Sequence, residues 1–201
     1  VAVLSRLGCE VVIPKELKCC GLPQTENGEI EAAKSLACSN FAAFQRLGVD
    51  TVVTDCASCS AALKETPEFE DIKVLDLSRL LIDLIAGYNP GLGKIQKVAT
   101  YHDPCHLAQG ITGGPRELLR LACAEFREMP GANNCCGGGG AFSFYHYDTS
   151  MEILNKKVSS VKETGAELVA TFCPACIMQI RHGLLKQGLN IQVAHPVELL
   201  A

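Results

Sequence analysis

One pair of cysteine signatures occurs twice in this chain at nearly the same interval, and no other feature constrains the fold as much. Cys19-Cys20-Gly21 is followed by Cys56-Ala57-Ser58-Cys59, and Cys135-Cys136-Gly137 is followed by Cys173-Pro174-Ala175-Cys176. The spacer from Cys20 to Cys56 is 35 residues, and that from Cys136 to Cys173 is 36. An adjacent pair and a C-x-x-C, twice over, imply a duplicated unit that gathers thiolates at one point. Thiolates are gathered for metal or redox chemistry.

The chain has 201 residues and 12 cysteines, and 48% of it is hydrophobic. That length fits one large domain or two small ones of about 100 residues each. Small secreted domains use cysteines because they lack a core. This composition supports a core without them, so the cysteines read as ligation or redox chemistry in a reducing, cytoplasmic compartment. The net charge is −4 and no basic cluster stands out, which argues against a nucleic-acid partner. No stretch reaches the roughly 18 apolar residues of a membrane span. The most apolar window, residues 77–86, is interrupted by Arg79 and Asp83 and reads as an amphipathic helix. No signal peptide is visible. The chain opens without Met, in mid-pattern, at Val1-Ala2-Val3-Leu4, and is expected to be part of a longer polypeptide.

The duplication extends beyond the cysteines. In the first half, residues 10–13 have strand character and lead to Cys19-Cys20-Gly21. Residues 28–47 show helical spacing, with Ala33, Leu36, Ala37, Phe41, Phe44 and Leu47 on or near one face. Gly48 stops that helix. The β-branched run Thr51–Thr54 is a buried strand with Cys56 just past its end. Residues 57–64 read as a helix, 73–75 as a strand and 78–86 as a helix. The second half repeats the order: 125–129, then Cys135-Cys136-Gly137, a helix over 149–164 closed by Gly165, and a strand over 168–171 ending near Cys173. Pro174 suits the first turn of a helix running to about Gln187, and a strand follows at 191–194. Strands alternating with helices predict an α/β fold of two pseudo-repeated, Rossmann-like βαβ units with small parallel sheets. The first repeat covers residues 1–87, a linker 88–97, and the second repeat 98–201. Ligands in such sheets sit beyond the carboxyl ends of the strands. Cys56, Cys105 (after 98–101) and Cys173 all fall there.

A fifth cysteine joins the second set. Cys105, within His102-Asp103-Pro104-Cys105-His106-Leu107, is separated from Cys135-Cys136 by a spacer of 29 residues. Structural zinc takes four ligands, typically from chelating C-x-x-C units. An adjacent Cys-Cys pair points its thiols divergently and suits a multi-iron cluster better, and cysteine thiolates are the ligands of iron–sulfur clusters. An iron–sulfur cluster is the favoured reading, with zinc and unligated thiols as the alternatives. Gly137-Gly138-Gly139-Gly140 either lets backbone N–H groups approach a polyanionic cluster as a nest or is a flexible turn; beside the Cys-Cys pair the close approach is favoured.

This pattern of a lone Cys, Cys-Cys-Gly and C-x-x-C resembles the cysteine-rich CCG domain family over essentially the whole chain. That family includes the B subunit of heterodisulfide reductase and the iron–sulfur subunits of glycolate oxidase, lactate-utilisation complexes and anaerobic glycerol-3-phosphate dehydrogenase. The motifs around Cys105, Cys135-Cys136-Gly137 and His195-Pro196-Val197-Glu198-Leu199-Leu200 are most similar to the glycolate/lactate branch, as is Gly8-Cys9-Glu10-Val11-Val12-Ile13. The resemblance implies a [4Fe–4S] cluster, of the noncubane type in heterodisulfide reductase, on Cys105, Cys135, Cys136, Cys173 and Cys176. Cys19, Cys20, Cys56 and Cys59 would be four of five ligands to another. Its fifth is expected about thirty residues before Cys19, upstream of Val1, since Cys9 is too close in sequence. The implied role is electron transfer from a flavoprotein (FAD) partner that oxidises a 2-hydroxy acid, through a ferredoxin-like segment or subunit, toward quinone at a membrane periphery or another carrier. Two alternatives stand beside it: a heterodisulfide-reductase-like subunit acting on disulfides, and a zinc-stabilised interaction module.

The remaining polar and sulfur residues carry more modest expectations. Cys9, Cys38 and Cys123 read as small buried hydrophobes. His102 and His106 either donate hydrogen bonds to the cluster or cap neighbouring elements. Asp55 and Asp103 are read as N-caps, and His195 as a turn residue. Tyr145, His146 and Tyr147 face either the cluster or a partner. No Ser-His-Asp arrangement or phosphate loop is present.

Overall fold

A computed structural model of the chain describes residues 1–49, 51–87, 93–106 and 114–200. The first repeat runs α1 (Ala2–Arg6), α2 (Leu22–Glu26), α3 (Ile30–Leu47), β1 (Thr51–Thr54), α4 (Ala57–Lys64), a 3-10 turn (Pro67–Phe69), β2 (Lys73–Asp76) and α5 (Leu77–Gly87). The second runs β3 (Ile95–Tyr101), α6 (Gly114–Ala122), β4 (Cys123–Phe126), α7 (Phe142–Tyr145), α8 (Tyr147–Thr164), β5 (Leu168–Ala170), α9 (Pro174–Lys186), β6 (Gln192–Ala194) and a 3-10 turn (Pro196–Leu200). The linker expected over 88–97 lies outside the described residues at 88–92, and β3 already begins at Ile95.

Every strand pairing among the described residues is parallel, as the alternation of elements predicts. β1 pairs with β2, Val52 opposite Val74. The other sheet has the order β4-β3-β5-β6, with Thr100 opposite Val169 and Val169 opposite Val193. Parallel strands need a crossover between them, and the intervening helices supply it. β-Branched and aromatic residues suit the pleated, half-buried surface, and β5 is buried along its whole length. α3 and α8 are both 18 residues long and end at glycines with left-handed φ, Gly48 (63°) and Gly165 (61°).

The strand expected over residues 10–13 does not form. That segment is irregular, with Val12 52% and Ile13 64% exposed. Its counterpart β4 forms because β3 lies beside it and supplies ladder hydrogen bonds. Among the described residues no strand stands at that place in the first repeat, where the sheet is β1 and β2 alone. An apolar run without a ladder partner has nothing to hold it extended.

One core cluster joins the repeats: Val3, Leu77 and Leu81 from the first pack with Tyr101, Leu118, Leu119, Phe172 and Leu199 from the second. Fully burying a side chain of this size contributes roughly 1.5–3 kcal/mol. A smaller core under α3 sets Phe69 edge-on to Phe41 and Phe44. A third lies between α8, α9 and the sheet and includes Cys136, Cys173 and Cys176. Among the described residues no helix is long and apolar enough to cross a membrane.

Candidate metal centre

The carboxyl ends of β3 and β5 lie side by side, since Tyr101 pairs with Ala170. The chain leaves β3 through buried His102, Asp103 and Pro104 to exposed Cys105. It leaves β5 through Phe172 to Cys173, the N-cap of α9 in extended conformation, with Pro174 in the first turn. Cys176 follows one helical turn on, which brings its thiol back over Cys173. Cys135 and Cys136 arrive from the loop after β4.

These thiols adjoin one another in a line, close enough to shift one another's acidity. Cys105 meets Cys135, Cys135 meets Cys136, Cys136 meets Cys176, and Cys176 meets Cys173. The line does not stop at the repeat boundary. Cys173 meets Cys56, Cys56 meets Cys59, Cys59 meets Cys20, and Cys20 meets Cys19. Nine of the cysteines singled out from sequence thus form one continuous run, and Cys9 is not among them. All are free thiols.

Close thiols cannot all ionise together, so alternate members separate in acidity. Hydrogen bonds from Cys105 and Cys136 hold the Cys135 thiol far below its ordinary range. Cys176 and Cys56 do the same for Cys173, and Cys59 lowers Cys20 to about 6. Their donors Cys105, Cys176 and Cys59 are pushed up in return. A metal held here would take these sulfurs as thiolates, with their protons released.

Backbone donors converge on the same sulfurs. The Gly137 N–H donates to Cys135 Sγ at 3.2 Å, and the Gly138 N–H donates to Cys136. Gly137 has φ +83°, and a Cβ there would sit 2.6 Å from the Ser150 carbonyl oxygen of α8. Ser150 Oγ donates to the Gly137 carbonyl at 2.7 Å, and Gln179 Nε2 donates to Ser150 Oγ. The first repeat reproduces this device: Gly21 has φ +91°, packs against Ala33 of α3, and is followed by a Leu22 N–H that donates to Cys20.

Charged groups back the second set. Lys157 of α8 is 2% exposed, and its Nζ donates to the carbonyls of Gly131 (2.7 Å) and Ala132 (3.3 Å). Burial lowers its pKa, while Cys136, Asp103 and Cys135 pull it back up. Arg116 of α6 grips both oxygens of Asp103 at 2.8 and 2.7 Å and also Glu128. Asp103 is therefore a buried ion-pair partner and not the N-cap expected; the next helix among the described residues starts at Gly114. In the first set, Asn40 of α3 accepts from the Lys18 N–H and donates to the Lys18 and Cys19 carbonyls.

The two strand ends are stitched together at the junction. The Ala57 N–H donates to the Phe172 carbonyl at 2.9 Å. Ser58 Oγ lies 3.1 Å from His106 Nδ1 and 3.7 Å from Cys173 Sγ. His195 Nε2 donates to the Asp55 carbonyl at 2.7 Å, and its ring stands edge-on to Phe172. His195, expected as a turn residue, does sit at the turn after β6, but it is buried and ties the repeats together. Asp55 contributes a carbonyl there, and α4 is capped at Cys56 without a side-chain bond. Cys123 is buried as expected and Cys9 half-buried, but Cys38 is exposed on the outer side of α3, 3.5 Å from Glu68.

Sequence reasoning missed Lys157, Arg116, Asn40 and Ser58. The one signal available was positional, the matching lengths of α3 and α8. Tyr145 is 78% exposed, the Tyr147 hydroxyl accepts from Lys186 Nζ at the surface, and Leu107 lies outside the described residues.

The sequence model of the cysteine-rich domain family designated CCG matches residues 1–64 and 99–181. The probable glycolate oxidase iron-sulfur subunit of Bacillus subtilis is 35% identical over 98% of this chain and 49% of its own length. A CoM/CoB fumarate reductase subunit of Methanothermobacter marburgensis is 34% identical over 98% of the chain and 41% of its own length. Lactate utilization protein A of an Exiguobacterium species is 32% identical over all of the chain and 88% of its own length. The chain thus spans less than half of the first two of these relatives.

Proposed function

This chain belongs to the cysteine-rich CCG domain family, and on that premise we propose that it is an iron–sulfur electron-transfer subunit of a flavin-dependent 2-hydroxy-acid oxidoreductase. The observation that carries the reading is the sulfur line from Cys105 through Cys135, Cys136 and Cys176 to Cys173, with the Gly137 and Gly138 N–H groups donating to it. Five soft donors exceed what a four-coordinate zinc uses. N–H donors aimed at sulfur are the protein's means of setting a cluster's potential. Cys105, Cys135, Cys136, Cys173 and Cys176 would hold one [4Fe–4S] cluster, and Cys19, Cys20, Cys56 and Cys59 would contribute to another. When bound, the cluster supplies one-electron transfer. The protein's part is to fix the sulfurs, bury one side of the site and supply N–H groups and a cation.

Oxidation of the hydroxy acid would occur on the flavin (FAD) of a partner protein. A ferredoxin-like segment or subunit and a quinone at the membrane periphery complete the proposed electron path, with the protein itself cytoplasmic. Likeness to the glycolate oxidase subunit and to lactate utilization protein A supports this substrate class. Iron and labile-sulfide analysis after anaerobic purification, with electron paramagnetic resonance, tests it. Zinc at about one per repeat without sulfide would replace it with the interaction-module reading.

A second reading is favoured by the contact of Cys56 with Cys173, which sets the two sites against each other. In it the centre itself acts on a disulfide. Disulfide turnover with a low-potential donor and no flavoprotein separates the two.

A further inference from the structure

One buried nitrogen among the sulfurs has no partner. His102 is fully buried, its Nδ1 is 3.1 Å from the Ala132 carbonyl oxygen, and its Nε2 makes no hydrogen bond. A carbonyl oxygen only accepts, so Nδ1 carries the proton and Nε2 presents a bare lone pair. The Asp103 N–H and the Lys157 ammonium donate to that same oxygen, which holds the ring and its tautomer in place. The ligand atoms of His102, Cys136 and Cys176 lie within 4.8 Å of one another.

We propose that His102 Nε2 is a nitrogen ligand to the metal held at Cys136 and Cys176, giving the second centre a mixed sulfur–nitrogen donor set. This rests on the metal-centre reading above. A buried acceptor left without a partner is destabilising, and a ring nitrogen that donates to a backbone carbonyl while the other faces sulfur is the arrangement of a metal-ligating imidazole. In this tautomer Nε2 carries no proton, so the ring offers a lone pair toward Cys136 and Cys176 in place of a hydrogen bond. Neither neighbour can substitute. His195 uses both ring nitrogens, Nε2 on Asp55 and Nδ1 on the Val197 N–H. His106 is exposed and turned to Ser58. An imidazole ligand is neutral, so it would bind the metal without adding to the negative charge of the gathered thiolates.

The test compares the anaerobically purified chain grown with natural-abundance histidine and with 15N-histidine by pulsed electron paramagnetic resonance. The expected result is a strongly coupled nitrogen whose signal changes with the isotope, persists in His106→Gln and disappears in His102→Gln. Cluster-loaded protein without an isotope-sensitive strong coupling overturns the ligand assignment and leaves the cluster reading intact. So does a coupling lost in His106→Gln. Should His102→Gln fail to fold, the isotope pair and His106→Gln decide the matter alone. If analysis finds no sulfide, the cluster reading falls by itself, and the same isotope comparison on cobalt(II)-loaded protein decides the histidine ligand.

Discussion

Asn40 and Lys157 occupy the same place, the eleventh residue of two 18-residue helices, and each holds the loop that leads into a Cys-Cys pair. The first repeat does this with a neutral amide, the second with a buried cation. The duplicated sites are therefore electrically unequal. Positive charge near Cys135, Cys136 and Cys176 offsets the repulsion of gathered thiolates.

Lys157→Met removes the donor to the Gly131 and Ala132 carbonyls. The Ala132 carbonyl keeps the Asp103 N–H and His102 Nδ1 as donors and Gly131 is exposed, so the expected cost is about 1 kcal/mol, that of a lost hydrogen bond and not of a stranded acceptor. The second centre's midpoint potential should also fall, while the first centre's stays put. Urea denaturation and a redox titration read the two effects; an unchanged potential would remove the electrostatic role.

Burial pulls His102 down to about 4, with Lys157 acting in the same direction. Its unfolded value is about 6.5, so the folded metal-free protein binds fewer protons than the unfolded chain. The stabilising contribution is present above about pH 6.5 and is lost as pH falls toward 4, at roughly 1.4 kcal/mol per pH unit. Urea midpoints of the metal-free protein, kept reduced, should drop from about pH 7 to about 4.5, and His102→Gln should flatten that slope. Parallel slopes in the two proteins would show that His102 is not the source of the pH dependence.

Gly137→Ala meets two obstacles at once, a φ of +83° and the Ser150 carbonyl oxygen 2.6 Å from the new Cβ. A loss of more than about 2 kcal/mol is expected from strain and displacement of α8. Gly139, two residues on, has open space at its Cβ position, and Gly139→Ala should stay within about 0.5 kcal/mol of the parent. Thermal unfolding of the pair tests whether the loop is shaped by close approach or is merely flexible. Equal melting temperatures would favour the latter.

Cys135→Ser and Cys173→Ser should each abolish the second centre's paramagnetic signal and its share of bound iron. Cys38→Ser should do neither, since Cys38 lies on the outside of α3 beside Glu68. A full signal from Cys135→Ser would break the ligand set.

The architecture was legible wherever local chemistry and periodicity agreed. Thr51–Thr54 could only be a strand, Pro174 fixed the start of α9, and Gly48 and Gly165 marked two helix ends. Residues 10–13 misled because their apolar pattern is that of a strand, while a parallel strand needs a neighbour that sequence periodicity cannot supply. Asp103 misled because a carboxylate before a helix is ordinarily a cap; its partner Arg116 is thirteen residues away and arrives only when α6 docks. The meeting of Cys56 with Cys173 and the bond from His195 to Asp55 depend on how two repeats face each other, which no local signal encodes.

The line of sulfurs has a combinatorial consequence for the oxidised, metal-free chain. The pairings open to each thiol are taken from its neighbours in the line, and bonds within the adjacent pairs Cys19-Cys20 and Cys135-Cys136 would be heavily strained by disulfide geometry. With those set aside, one set of pairings consumes the most thiols: Cys20 with Cys59, Cys56 with Cys173, Cys176 with Cys136, and Cys135 with Cys105. Full oxidation must then staple the first repeat to the second through Cys56 and Cys173. The covalent topology of an aged sample, read as one cross-linked peptide, records the junction of the two repeats.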